Sequence, residues 1–219
     1  MDVLASLETT RQAINVLDHP FYRRWSAGEL SPGELARYAG EYGHAVEALA
    51  RASEHAAAKA APARRDALSR HAAEETAHVE LWERFARAAG AGPAAERPEP
   101  LPETRECVRA WSAGDDLLEH LAVLYVIEGG QPEISRTKLE GLTAHYGFSE
   151  EGPAGEYFRV HRLLDVEHAR QAGELIEELM AEGEDPGAAE RMERRATAAL
   201  RGNWSLLDAV QSQAATVAG

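Results

Sequence analysis

Three stretches of the chain carry side chains that could hold metal ions. The sharpest is His161-Arg-Leu-Leu-Asp165-Val-Glu-His168. On a helix turning about 100° per residue, His161, Asp165 and His168 share one stripe about 60° wide. The stripe continues into Leu164, Ala172 and Ile176, so it is expected to face inward. Two imidazoles and a carboxylate one turn apart can hold one metal ion or bridge to a second. A buried carboxylate between two histidines is costly unless something pairs it. The competing reading is a solvated His/Asp face, or core histidines bonded to carbonyls.

The second stretch is Glu74-Glu75-Thr-Ala-His78. Glu75 and His78 have the Glu-x-x-His spacing that di-iron carboxylate bundles use. Glu74, four residues before His78, is also compatible, so the register stays open between the two acids. An exposed acidic helix face is the plainer alternative. His71, two turns before His78, could equally sit on the surface. The third stretch ends on Glu128, after the almost wholly apolar run Leu121 to Ile127. A carboxylate on such a run is expected inside. Buried alone it would be neutral; on a metal it would stay charged. Gly129-Gly130 weakens the helix there and opens space beside the carboxylate. Alternatively the helix simply breaks before Pro132.

Together the stretches supply Glu75, His78, Glu128, His161, Asp165 and His168. Two divalent cations would nearly neutralise the three carboxylates. Mixed nitrogen and oxygen ligands without thiolate favour iron or manganese over structural zinc. Two irons with an open face suit O2 activation.

These residues need helices to position them, and the composition is helical. Alanine supplies 42 of 219 residues, aromatics are 6%, and no stretch is rich in Val, Ile and Thr. Helices are expected at 3–17, from the Ser31-Pro32-Gly33-Glu34 start to Lys59, and at 64–89, 104–113, 116–146, 155–182 and 187–213. Phe21 to Ser26 makes a short helical turn with Tyr22 and Trp25. Apolar positions Leu35, Tyr38, Ala39, Tyr42, Ala45, Val46 and Leu49 mark the inner face of the second long helix. Residues 90–103, rich in Pro and Gly, read as a long inter-helix loop. The fold class is all-α: a compact bundle of about seven helices in one domain over 1–219.

Charge and cysteine content exclude several functions. A net charge of −14 argues against binding nucleic acid or an anionic membrane. A single cysteine, Cys107, excludes an internal disulfide and a four-thiolate site; it is expected to pack beside Trp111. No apolar run approaches 18 residues. The stretch from Met1 to Pro20 lacks the layout of a signal peptide, so a cytoplasmic protein is expected. Among 23 basic residues only Lys59 and Lys138 are lysines.

The chain resembles the haem-oxygenase-like di-iron oxidases, which share their fold with thiaminase II and the pyrroloquinoline-quinone synthase PqqC. Within them it is most similar to the type of the chlamydial protein associating with death domains (CADD). The resemblance covers about Asp18 to Leu179. It is carried by His19-Pro-Phe-Tyr22-Arg-Arg-Trp25, His78-Val-Glu-Leu-Trp-Glu-Arg-Phe, Leu124-Tyr-Val-Ile-Glu128, Lys138-Leu-Glu-Gly-Leu-Thr-Ala-His-Tyr-Gly-Phe148 and Tyr157-Phe through Asp165-Val-Glu-His-Ala-Arg170. It implies the six ligands above on two irons, or iron and manganese, with O2 as co-substrate and an external reductant. It also implies that p-aminobenzoate for folate synthesis is made from a tyrosine of the chain itself. By position that tyrosine is Tyr22, a second tyrosine near the site is Tyr38, and the amino donor is Lys138. A homodimer is expected.

The chain departs from the family in two places. Relatives set the first glutamate further from its histidine, and bulkier residues stand where Gly129-Gly130 is here. Both leave room for a related di-iron oxidase acting on an external small fatty or amino acid. A third alternative is a non-catalytic metal- or partner-binding module. Thiaminase II chemistry is disfavoured, because Leu121 to Gly130 contains no nucleophilic cysteine. Cofactorless PqqC chemistry is disfavoured by the near-complete ligand set.

Overall fold

The computed structural model describes residues 2–183 and 185–217, the last four of these by backbone alone. Residues 1, 184, 218 and 219 of the expected domain therefore lie outside the described residues. Among the described residues there are nine α-helices and no strands. They are α1 (Val3–Ala13), α2 (Pro20–Ala27), α3 (Pro32–Lys59), α4 (Pro62–Ala88), α5 (Pro102–Ser112), α6 (Leu117–Glu128), α7 (Gln131–His145), α8 (Glu156–Glu182) and α9 (Ala188–Val217). The all-α expectation holds.

The helix starts follow local chemistry. Ser31 and Glu34 form a reciprocal capping box at α3, with Pro32 at the first turn. Asp116 caps α6 by accepting from the Glu119 N–H. α1 stops at Ala13, short of the expected Leu17, because the Asn15 side chain caps a 3-10 turn at Val16–Asp18 instead. All seven marked apolar positions of α3, from Leu35 to Leu49, are buried.

Two expectations are corrected. The single helix expected over 116–146 is two, α6 and α7, parting at Gly129-Gly130. The Gly129 N–H still bonds the Tyr125 carbonyl at 3.0 Å. Pro132 then opens a new helix, since it has no N–H to continue the old ladder. The break puts Glu128 at the end of α6. Counting α2 as a helix as well brings the total to nine rather than about seven. Second, Leu164 does not belong to the inward stripe of α8. It is 41% exposed, whereas Ala172 and Ile176 are buried.

α6 is apolar nearly all round and is enclosed by α3, α8 and α9. α8 packs on α4, α6 and α7. One continuous apolar cluster draws on all nine helices, with Trp25, Trp82 and Trp111 wholly buried in it. Cys107 is buried on α5, which pushes its thiol pKa up and makes it a packing residue. No helix among the described residues is long and apolar enough to cross a membrane.

Candidate metal centre

α4, α6 and α8 bring all six ligand-type residues to one buried place. Glu75, His78, Glu128, His161, Asp165 and His168 are each less than a tenth exposed. His78 and His161 face each other with ring centroids 4.4 Å apart. The His78 Nδ1–H donates to Glu75 Oε1 at 3.0 Å. His168 Nδ1 lies 3.8 Å from Glu75 Oε1 and 3.7 Å from Asp165 Oδ1.

Of the two acids left open in register, Glu75 is the one that is buried. The Glu74 side chain is 52% exposed and accepts from His168 Nε2 at 3.0 Å. That contact leaves His168 Nδ1 turned toward the carboxylates. In the same way His161 Nδ1–H donates to the Tyr157 carbonyl at 2.7 Å, which leaves Nε2 as a lone-pair nitrogen. Both contacts select the tautomer that a metal would need.

His71, which could have been a surface residue, belongs to the cluster. Its Nε2 lies 3.0 Å from Glu128 Oε1 and 3.9 Å from Glu75 Oε1, and its ring sits 4.3 Å from that of His168. Two groups of potential ligand atoms result: His71, Glu75, Glu128 and His168, and Glu75, His78 and His161. Glu75 is common to both. Asp165 lies beside them, between the two helices.

The electrostatics are those of crowded buried charges. Burial opposes a charge on His71, but Glu128, Glu75 and Glu74 outweigh it and lift its pKa to about 9. Burial likewise opposes the charge on Glu75, but His78, His161 and His71 pull its pKa down to about 2. Burial depresses His161 to about 4. Burial, reinforced by Glu75 and Glu128, holds Asp165 well above the usual carboxylate range. Both oxygens of Glu128 and of Asp165, His71 Nε2, His161 Nε2 and His168 Nδ1 are buried without a hydrogen bond. So many unsatisfied polar atoms in one place are too costly for ordinary core packing. They are the donor atoms that a pair of divalent cations would take.

The tyrosine and lysine candidates form an adjoining group. Tyr22 on α2 and Tyr38 on α3 share a hydrogen bond of 2.8 Å between their hydroxyls. The Lys138 amine, on α7, is wholly buried and has no hydrogen-bond partner. It stands 5.4 Å from the ring centroids of both Tyr22 and Tyr38. Tyr42, not singled out from the sequence as a site residue, is nearer at 4.4 Å. Burial pushes the amine well below its ordinary pKa and the phenols of Tyr22 and Tyr38 well above theirs. Tyr157 links the two groups. Its ring stacks on His161 at 3.8 Å and meets Trp82 edge-on at 4.8 Å, and Trp82 packs on Tyr38 and Tyr42.

Known proteins resemble the chain in sequence and in fold. A protein from Chlamydia trachomatis named 4-aminobenzoate synthase is 34% identical over 194 residues, covering 84% of each chain. One of the same name from Nitrosomonas europaea is 29% identical over 219 residues, covering 91% of this chain and 87% of its own. Among solved structures, a TenA homologue from Pseudomonas syringae superposes with a TM-score of 0.81 at 20% identity, over 96% of this chain and 91% of its own. A domain of unknown function with a heme oxygenase-like fold, from Shewanella denitrificans, gives 0.79 at 17%, over 97% and 92%. A family model described as "Iron-containing redox enzyme" matches residues 36–202, the span that holds every histidine and carboxylate of the cluster. By its sequence and its fold, the chain belongs to the iron-containing redox enzymes of the haem-oxygenase-like fold.

Proposed function

We propose that the chain is an O2-dependent di-metal oxidase that makes p-aminobenzoate from its own Tyr22, with Lys138 supplying the amino group. One observation carries the reading. A buried amine without a hydrogen-bond partner is boxed by tyrosine rings beside a cluster of metal-type ligands. The name shared by the relatives supports the same product. Glu75, His78, Glu128, His161, Asp165 and His168 would hold two irons, or one iron and one manganese. Their mixed nitrogen and oxygen donors, many without another partner, fit such ions. Bound there, the metals supply O2 activation and redox capacity.

The protein residues then have definable tasks. Burial lowers the pKa of the Lys138 amine, which favours the neutral form whose lone pair can form a C–N bond. The Tyr38 hydroxyl, bonded to that of Tyr22, can exchange the phenolic proton without water. Trp82 and Phe158, 5.7 and 5.9 Å from the amine, help close the box. In balance, the Cα–Cβ bond of Tyr22 breaks and Cα takes up a hydrogen, which leaves glycine at that position. Cβ is oxidised to a carboxylate. The ring C–O bond gives way to C–N from Lys138, whose Cε is left as an aldehyde. The phenol oxygen leaves as water. These changes release six electrons to two O2, an external reductant supplies two more, and oxygen not built into the carboxylate and aldehyde also ends as water.

The test is a single reaction. The protein is loaded anaerobically with Fe(II), given reductant and O2, and its small molecules and tryptic peptides are read by mass spectrometry. The expected outcome is p-aminobenzoate together with loss of the Tyr22 side chain, and neither in Tyr22→Phe. A second reading has its own support. A cavity of about 330 Å3 opens beside His71 and His168, room for an external fatty or amino acid substrate. O2 consumption with Tyr22 and Lys138 intact would select that reading. The acting unit is proposed to be a cytoplasmic homodimer, for which light scattering should return twice the chain mass.

A further inference from the structure

α4 and α8 carry the same spacing of the same residue types. His71, Glu75 and His78 follow one another at four and three residues, as do His161, Asp165 and His168. The helices run antiparallel at the site, so the first histidine of each meets the last of the other. His71 pairs with His168 at 4.3 Å and His78 with His161 at 4.4 Å. The acids Glu75 and Asp165 lie between the pairs. The arrangement is an approximate two-fold, and the set of six ligands breaks it by leaving out His71 alone.

Without a metal, the one partner His71 has at close range is the Glu128 carboxylate, itself a ligand of the proposed centre. Its Nε2 is buried, makes no hydrogen bond, and faces Glu128 Oε1 at 3.0 Å and Glu75 Oε1 at 3.9 Å. Both Glu128 oxygens are themselves without a hydrogen bond. Bound to a metal, His71 would give up its proton and serve as a neutral imidazole donor, adding no charge to a site that already holds three carboxylates. A fourth carboxylate at this position would leave two divalent cations fully neutralised with no charge to spare.

We propose that His71 is a seventh metal ligand, so that the centre holds its two ions with four histidines. An outer ion takes His71, His168 and Glu128, and an inner ion takes His78 and His161. Glu75 is within reach of both, and Asp165, 3.7 Å from His168 Nδ1, completes the seven. The inference rests on the cluster being a metal centre, as proposed above. The two subsites differ in access. His71 and His168 line the 330 Å3 cavity, whose mouth carries Arg64, Arg70, Glu174 and Glu178. His78 and His161 are buried and lie on the side of Tyr157 and Lys138. The outer ion is therefore the one that exchanges with solvent, and the inner one is retained.

Co(II) is the probe for the test. It is titrated anaerobically into the full-length protein, followed by visible absorption and by metal analysis after gel filtration. The wild type is expected to bind two ions per chain and to release them to a chelator in two phases. His71→Ala is expected to keep one ion and lose the fast phase. Its outer affinity should fall by at least about 100-fold, the upper end of what loss of even an outer-shell partner costs. Two ions retained by His71→Ala, with unchanged spectrum and release, overturns the inference and leaves the metal centre standing. No Co(II) bound by the wild type overturns both. If His71→Ala does not fold, the wild type decides alone. Carbethoxylation of His71, mapped by mass spectrometry, should be blocked by Co(II); equal modification with and without Co(II) overturns the inference.

Discussion

Lys138 has no counter-charge in its aromatic box, so burial alone drives its pKa well below 10.5. Unfolding returns the amine to water, where it takes up a proton at any pH below 10.5. The unfolded state then binds more protons than the folded one, and stability rises with pH up to 10.5. As pH falls toward the depressed folded value, stability is lost. Lys138→Met removes this linkage. It is expected to abolish p-aminobenzoate formation while raising the melting temperature, by more at pH 7 than at pH 10. A gain that does not change with pH would mean that the amine is charged in the folded protein. Lys138→Arg should not restore product, because guanidinium stays protonated and has no free lone pair. Glu74 acts at the same scale, through His168. Glu74→Ala frees that ring to turn, and metal affinity measured by titration should fall by about 10–100-fold.

Between elements, the site depends on how α2, α7 and α6 are held. Trp25 of α2 donates its indole N–H to the Lys138 carbonyl of α7 at 3.1 Å. That approach is possible because residue 141 is glycine: a Cβ there would lie 2.6 Å from the Trp25 ring. Gly141→Ala is expected to push α2 and α7 apart and cost about 1–3 kcal/mol, as overpacking does. Because Tyr22 and Lys138 ride on these two helices, product yield should fall with the melting temperature. An unchanged yield would show that their spacing is not set by this contact. The break between α6 and α7 has a related role. It ends α6 on Glu128 and lets α7 start in a new direction with Lys138 on its inner face.

Over the whole molecule, ligands drawn from separate helices make metal binding a tertiary event. Ions that bind only the folded chain stabilise it by mass action. Free metal at 100 times its dissociation constant should add about 2.7 kcal/mol for each site. Thermal melts with Fe(II) or Mn(II) should show the shift, and His161→Ala with His168→Ala should remove it. An equal shift in that double variant would place the ions elsewhere. The net charge of −14 attracts cations over a distance set by ionic strength. Metal uptake should therefore slow as salt rises, with little change in the bound stoichiometry.

Much of this was written locally. The Ser31 to Glu34 capping box and the apolar face of α3 follow from residue type and spacing, because caps and periodicity act within a turn or two, whereas the break at Gly129-Gly130 was only an alternative to one continuous helix. The spacing of His161, Asp165 and His168 also sufficed to place three ligand types on one face. Helix geometry alone could not say how wide the buried arc of each helix is. Leu164 lies at the edge of its stripe and is exposed because no helix covers it there. His71 also lies at the outer end of its stripe, yet it turns inward because α8 crosses α4 at that point. The same crossing buried Glu75 rather than Glu74, and the fold left Tyr42 of α3 closer to Lys138 than Tyr22 is. The sequence by itself determined the all-helical class, most of the helices and the ligand types they carry. Only the tertiary structure decided which of those side chains share a buried space, because burial and pairing depend on neighbours that are distant along the chain.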